Sequence, residues 1–346
     1  MTKNRKFMGL IAGLCLSLSS CATSNYTKQL EEIVRQECQV VSVEQRREEV
    51  RERVSVEYCN VSLPISDGRE INVDVYTIKE PVANIILLPT LGEPASSLEK
   101  FSEEMASYGY NVYGVDVEGF GKSSGERGEI ALWRVEEDIS KAIDYIKSLN
   151  DRKIVLAGTS IGSDFSLFYS AEGEYKEEIS GVVAHGSFVP SLDIPFNPVV
   201  SFCKTRVGSF LARLAEGKKI NMLSHLRRKN FYANEEQLKE VLEDPDYAIE
   251  EIGTKGYLDF IRYKPEMPVT SYNGEVLFMI SKDDRIIPFR YSIALYDALR
   301  KENPNIVLYI PFGRDSDRVV PHMSFDVNYQ EIAEQINVFL RSVLAE

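Results

Sequence analysis

Polar and apolar positions change rhythm several times along the chain. Residues 22 to 53 are polar and densely charged, including "EQRREEVRERV", and read as a helical or partly disordered spacer. From Val54 onward, "EYCNVSLPISDGREINVDVYTI" alternates on either side of Ser66-Asp67-Gly68, which predicts an antiparallel hairpin. Short continuous apolar runs follow: "VANIILLPT", "NVYGVDV", "KIVLAG", "ISGVVAHGS", "EVLFMIS" and "NIVLYIP". Runs of this kind are strands buried on both faces. Helical patterns separate them, at Ser97 to Ser107, Trp133 to Leu149 and, closing the chain, Gln330 to Leu344. Strands alternating with helices predict an α/β fold, a mostly parallel central sheet with helices on both faces.

Between "HGSF" and "GEVLFMIS" the alternation stops. About 85 residues intervene with helical patterns such as "VSFCKTRVGSFLARL" and "NEEQLKEVLEDPDYAIEEI". Residues 189–272 are therefore expected to form a helical cap inserted between two parts of the core, 54–188 and 273–346. Its apolar face is a candidate lining for an acyl pocket.

Composition narrows the function classes. Hydrophobic residues are 44% and charged residues 27% of 346, values ordinary for a folded domain. Acidic residues number 53 against 40 basic ones, for a net charge of −13. That field repels phosphate backbones, so nucleic acid is not expected as a partner. The first 20 residues differ from the rest. Lys3, Arg5 and Lys6 precede an apolar run from Phe7 to Leu18 that is short for a membrane span, and small residues follow. This is the layout of a secretory signal. Leu18-Ser19-Ser20-Cys21 resembles the lipobox of bacterial lipoproteins. The resemblance implies cleavage before Cys21, acylation of its thiol, and a charged tether over 21–53. Ala22 is not the aspartate associated with inner-membrane retention, so the same resemblance points to the outer membrane of a cell envelope. Cys38, Cys59 and Cys203 remain, enough for one disulfide at most, and their spacing suits no metal site.

The candidate chemistry sits at "KIVLAGTSIGS". Gly158-Thr159-Ser160-Ile161-Gly162 has the G-x-S-x-G pattern of a nucleophile elbow, a sharp strand-to-helix turn that lifts a serine hydroxyl clear of the backbone. A serine needs a base, and the base needs an orienting acid. Of three histidines, His185 lies within a strand and His225 in a polar stretch of the cap. His322 follows the last strand and precedes the last helix, where a base can reach the elbow. "LFMISKDDRIIP" offers Asp283 and Asp284 after a late strand. The order Ser160, Asp284, His322 is the one that goes with this elbow.

These residues carry a wider resemblance. The chain resembles the α/β-hydrolase superfamily, and within it the monoacylglycerol lipase and lysophospholipase group, also called the serine aminopeptidase family. "DVEGFGKSSGERG", Asp116 to Gly128, matches the family's D-x-x-G-x-G-x-S-x-G-x-R-G at each defined position, and "DDRIIP" matches its acid loop. The resemblance implies catalytic Ser160, Asp284 and His322. It implies an oxyanion hole from the backbone N–H groups of Leu91 and Ile161, no metal or organic cofactor, and carboxylic esters as substrates. With the lipid anchor, lipid-like esters such as monoacylglycerol or lysophospholipid are favoured. The same triad serves thioesterases, acyltransferases and some peptidases, and a non-catalytic binding lipoprotein is the alternative from another class. Two positions depart from the family. Pro89-Thr90 replaces histidine-glycine before Leu91, and Ser163 stands where glycine or alanine is usual. A β-branched Thr90 is expected to crowd the site.

Overall fold

The computed structural model describes residues 55–129, 132–192, 194, 217–221, 239, 251–284, 286–311, 322, 325 and 328–344. The signal, Cys21, the tether and most of the cap segment, with Cys38, Cys203 and His225, lie outside the described residues.

The alternating segment forms its hairpin. Strands β1 (Glu57–Pro64) and β2 (Glu70–Thr77) pair antiparallel from Glu57 opposite Thr77 to Pro64 opposite Glu70. Asp67 and Gly68 turn the chain with positive φ, 63° and 74°. The apolar runs become β3 (Ala83–Leu88), β4 (Tyr110–Asp116), β5 (Ile154–Thr159), β6 (Ile179–His185), β9 (Val276–Met279) and β10 (Ile306–Tyr309). The large sheet has the order β1-β2-β4-β3-β5-β6-β9-β10. Every pairing from β4 to β10 is parallel, and only β2 runs against its neighbours, β1 and β4. This is the α/β-hydrolase fold.

Both faces of the sheet are covered because side chains alternate along each strand. In β3, Ile86 and Leu88 join one apolar cluster, and Ile85 and Leu87 join the other. Helices α1 (Glu99–Ser107) and α6 (Tyr329–Leu344) seal the second face through Phe101, Met105, Ile332 and Ile336. Helices α2 (Leu132–Leu149), α3 (Ile161–Glu172) and α5 (Phe289–Glu302) pack on the first.

The cap segment corrects one expectation. The helical pattern ending "YAIEEI" gives way to a strand at its end. Residues Lys219–Asn221 (β7) and Glu251–Gly253 (β8) pair antiparallel in a separate two-stranded sheet, and helix α4 (Thr254–Arg262) follows. Strands of three residues are too short to show a period. Their pairing is a tertiary event across some 30 positions of sequence, so no local pattern announces it.

Candidate active site

Strand β5 sits in the middle of the sheet, between β3 and β6. At its end the chain reverses direction within one residue. Ser160 has φ 53° and ψ −121°, and α3 begins at Ile161. A non-glycine residue at such angles costs roughly 1–3 kcal/mol and persists only where its surroundings hold it. The surroundings are visible. The Ser160 N–H donates to the His185 carbonyl at 2.7 Å. The Ser160 carbonyl accepts from the Ser163 N–H at 3.0 Å and the Ser163 hydroxyl at 2.7 Å. A Cβ on Gly158 would lie 2.3 Å from the Gly162 backbone, and one on Gly162 would lie 2.2 Å from the Leu88 carbonyl oxygen. The two glycines therefore let the start of α3 press against the ends of β5 and β3. Ser163 does not disturb this contact. It is fully buried, and its hydroxyl also bonds the Ser187 hydroxyl at 2.6 Å.

Asp284 lies just beyond β9. Its Oδ1 accepts the N–H groups of Ile286 at 2.7 Å and Ile287 at 2.9 Å. Its Oδ2 lies 2.6 Å from Nδ1 of His322, and both side chains are almost wholly buried. Burial alone would raise the Asp284 carboxyl. The His322 ring and the two backbone N–H groups outweigh it and hold the group below the usual carboxylate range. Asp283 is exposed. His322 in turn is brought to the elbow. A Cβ added to Gly186 would meet His322 Cε1 at 3.2 Å and the Ser160 nitrogen at 3.9 Å. Gly186, with φ 65°, thus marks a point touching both the imidazole edge and the serine backbone. His185 is elsewhere. It is buried with Nε2 at 3.2 Å from the Ser281 hydroxyl, and burial, reinforced by His322, lowers it to about 3.

On the other side of Ser160 lies the loop after β3. Leu91 and Ile161 wall a small, half-open cleft together with Thr90, Glu93, Val117, Phe120 and Phe165. Ile161 is the first residue of α3, so its N–H has no partner within the helix. The loop is braced from a distance by Asp116, the first residue of the D-x-x-G run. Asp116 accepts the Ala95 N–H at 2.6 Å with one oxygen, and with the other the Lys122 N–H and the Asn72 amide, both at 2.9 Å. Burial raises its carboxyl to about 6. The motif was legible in the sequence, but this bracing role was not.

Thr90 behaves differently from expectation in one respect. The left-handed turn of the loop is made at Gly92, φ 91°, and Thr90 is not among the described positive-φ residues. Nothing in its backbone demands glycine. Its cost lies in the side chain, since Oγ1 is buried without a hydrogen-bond partner among the described residues.

Sequence reasoning missed Asp164, four residues past Ser160. It is fully buried, and its Oδ1 accepts the N–H groups of Phe188 at 2.8 Å and Val189 at 3.1 Å. Burial raises its carboxyl to about 8. A lone charge among the apolar and small residues of Ile161–Ala171 was the available signal.

The family model of the serine aminopeptidases, S33 (Hydrolase_4), matches residues 79–312. The chain belongs to that family. The matched span holds Ser160 and Asp284, and His322 lies ten residues past its end. An uncharacterized 31.7 kDa protein from the traX-finO intergenic region of Escherichia coli is 25% identical over 214 residues, 58% of this chain and 71% of its own length. Among solved structures, a thermophilic esterase from Thermogutta terrifontis is 16% identical with a TM-score of 0.59, covering 83% of this chain and 99% of its own. A monoacylglycerol lipase from Paleococcus ferrophilus is 20% identical with a TM-score of 0.52, covering 82% and 99%. At these identities the solved structures share the fold of this hydrolase.

Proposed function

We propose that the protein is a serine hydrolase of carboxylic esters, tethered to a membrane through lipidated Cys21. The observation that carries the reading is the 2.6 Å contact between Asp284 and His322, with the imidazole edge and Ser160 meeting at Gly186. In this reading Ser160 Oγ attacks the acyl carbonyl and passes its proton to His322 Nε2. Asp284 fixes the tautomer with the proton on Nδ1 and stabilises the imidazolium. The N–H groups of Leu91 and Ile161 stabilise the tetrahedral oxyanion, at about 3 kcal/mol for each donor. His322 then protonates the departing alkoxide, and water activated by the same imidazole releases the acid from Ser160. The ester class comes from membership of a hydrolase family and from likeness in fold to solved structures named as esterases and a monoacylglycerol lipase. The preference for lipid-like esters adds the apolar side chains Leu91, Ile161 and Phe165 beside the elbow and the signal-like first 20 residues.

Two experiments test the reading. Kinetics on p-nitrophenyl esters of increasing acyl length should show turnover that Ser160→Ala abolishes without loss of folding. Ester turnover retained in that variant would refute the mechanism. Membrane fractionation should place the wild type with the outer membrane, and Cys21→Ser should release it or leave it unprocessed. Wild type found unacylated and free of membranes would refute the anchor.

A further inference from the structure

Strand β6 lies between β5, which ends at Ser160, and β9, which leads to Asp284. The registers align their ends. His185, the last residue of β6, stands opposite Thr159, one residue before Ser160, and opposite Met279, two residues before Ser281. Alternation sets the direction of its ring. Ala184 joins the apolar cluster on the first face of the sheet, and Val183 joins the cluster on the second. His185, two residues past Val183, falls on the second face. Phe325, three residues past His322, belongs to the cluster there.

One residue therefore meets all three segments of the triad. The His185 carbonyl accepts the Ser160 N–H at 2.7 Å. Its Nε2 lies 3.2 Å from the Ser281 hydroxyl. The Ser281 carbonyl in turn accepts the Asp284 N–H at 3.3 Å and closes the turn that carries the acid. The His185 ring lies against Phe325, with 5.3 Å between ring centres, and Phe101 of α1 backs Phe325 at 4.5 Å. His185, Ser281 and Phe325 are all almost wholly buried. An aliphatic side chain would fill the same space but would take this partner from the buried Ser281 hydroxyl.

We propose that His185 is a positioning residue for the triad, setting the Asp284 turn through Ser281 and the His322 loop through Phe325 while its carbonyl fixes Ser160. It takes no proton in the reaction. Burial, reinforced by His322, keeps its ring neutral, so an imidazolium formed on His322 meets no second charge. The role rests on the ester-hydrolase reading, whereas the contacts that His185 sets are measurable without turnover.

The test has two readouts on the full chain. His185→Phe keeps a ring for Phe325 and loses the bond to Ser281. His185→Gln carries an amide to about the place of Nε2 and loses the ring. His185→Ala loses both. Small misplacements of reacting groups are costly, so kcat on a butyrate ester should fall about ten-fold in each of the first two and about a hundred-fold in the third, with KM within about two-fold of wild type. Adding Ser281→Ala to His185→Phe should lower kcat no further. Phe325→Leu leaves His185 in place, should show the same loss confined to kcat, and replaces His185→Ala should that variant fail to fold. The second readout is proton NMR of protein labelled with nitrogen-15 histidine, in which only three rings report. The His322 Nδ1 proton held by Asp284 should lie far downfield in the wild type. It should move upfield or broaden in His185→Phe and Phe325→Leu. Wild-type kcat in folded His185→Phe and His185→Gln, or losses confined to Tm or KM, would overturn the proposal. A wild type that turns over no ester removes the hydrolase reading, and the resonance then decides alone. Its change in the variants would sustain the positioning role, and its constancy would overturn it.

Discussion

Two buried aspartates near the elbow have almost the same surroundings and opposite tendencies. Asp284, in the loop after β9, and Asp164, in the first turn of α3, each accept two backbone N–H groups on Oδ1. They differ at Oδ2. That of Asp284 meets His322, and that of Asp164 has no partner among the described residues. Burial opposes charge in both, yet Asp284 is held below the usual carboxylate range while Asp164 is raised to about 8. Backbone amides alone do not keep a buried carboxylate ionised here, and one imidazole does. Only the ionised member of the pair has the chemistry to orient a base. The other acts as a neutral clasp, holding Phe188 and Val189 where the chain leaves the core for the cap segment.

The comparison breaks most visibly in catalysis. Asp284→Asn should lower kcat on a butyrate ester by about 10⁴ through the wrong imidazole tautomer, whereas Asp164→Asn should change it by less than about ten-fold. Comparable losses in both would mean that Asp164 shares the catalytic work.

The next effect is on stability, and its sign follows from the two protonation equilibria. Asp164 has a folded value near 8 against 3.8 for the free carboxyl. Between these values the unfolded chain has released a proton that the native protein retains, so stability falls as pH rises, by up to about 1.4 kcal/mol per pH unit. Asp164→Asn removes this dependence. Its Tm relative to wild type should therefore rise from pH 5 to pH 8, and a constant difference would contradict the neutral clasp. Asp284 works the other way, its contribution being present above the free value and lost in acid.

The smallest effect concerns the other orphan atom, Thr90 Oγ1. Thr90→Val keeps the shape and removes the unpaired hydroxyl, so stability should rise by about 1 kcal/mol, with kcat/KM changed by less than about three-fold. A large loss of turnover would show that the hydroxyl serves the site.

What was legible in the sequence tracks the kind of force involved. The elbow was legible because its constraint is steric and local, with Gly158 and Gly162 at fixed offsets around Ser160. His322 and Asp284 were legible from chain order, since β9 and β10 deliver their following loops to the same end of the sheet. The continuous apolar runs of β3 and its neighbours, separated by helical patterns, announced the parallel sheet. Contacts made only by folding were not legible. Nothing near Asp116 reveals that it braces Ala95 and Asn72, and nothing near Ser163 reveals Ser187. Nothing near Glu118 reveals its ion pairs with Arg69 and Arg134. The pairing of β7 with β8 failed for the same reason. Asp164 was passed over because a first-turn aspartate ordinarily serves as a solvated partner of the helix dipole, and only the structure places it in the interior.

The central claim is that Ser160 is an activated nucleophile. Its most direct measurement is labelling of the intact protein with a fluorophosphonate, followed by mass-spectrometric location of the adduct. The account predicts stoichiometric labelling on Ser160, none in Ser160→Ala, and a rate at least a hundred-fold slower in His322→Ala. A folded wild type that stays unlabelled, or one labelled at another serine, would contradict it.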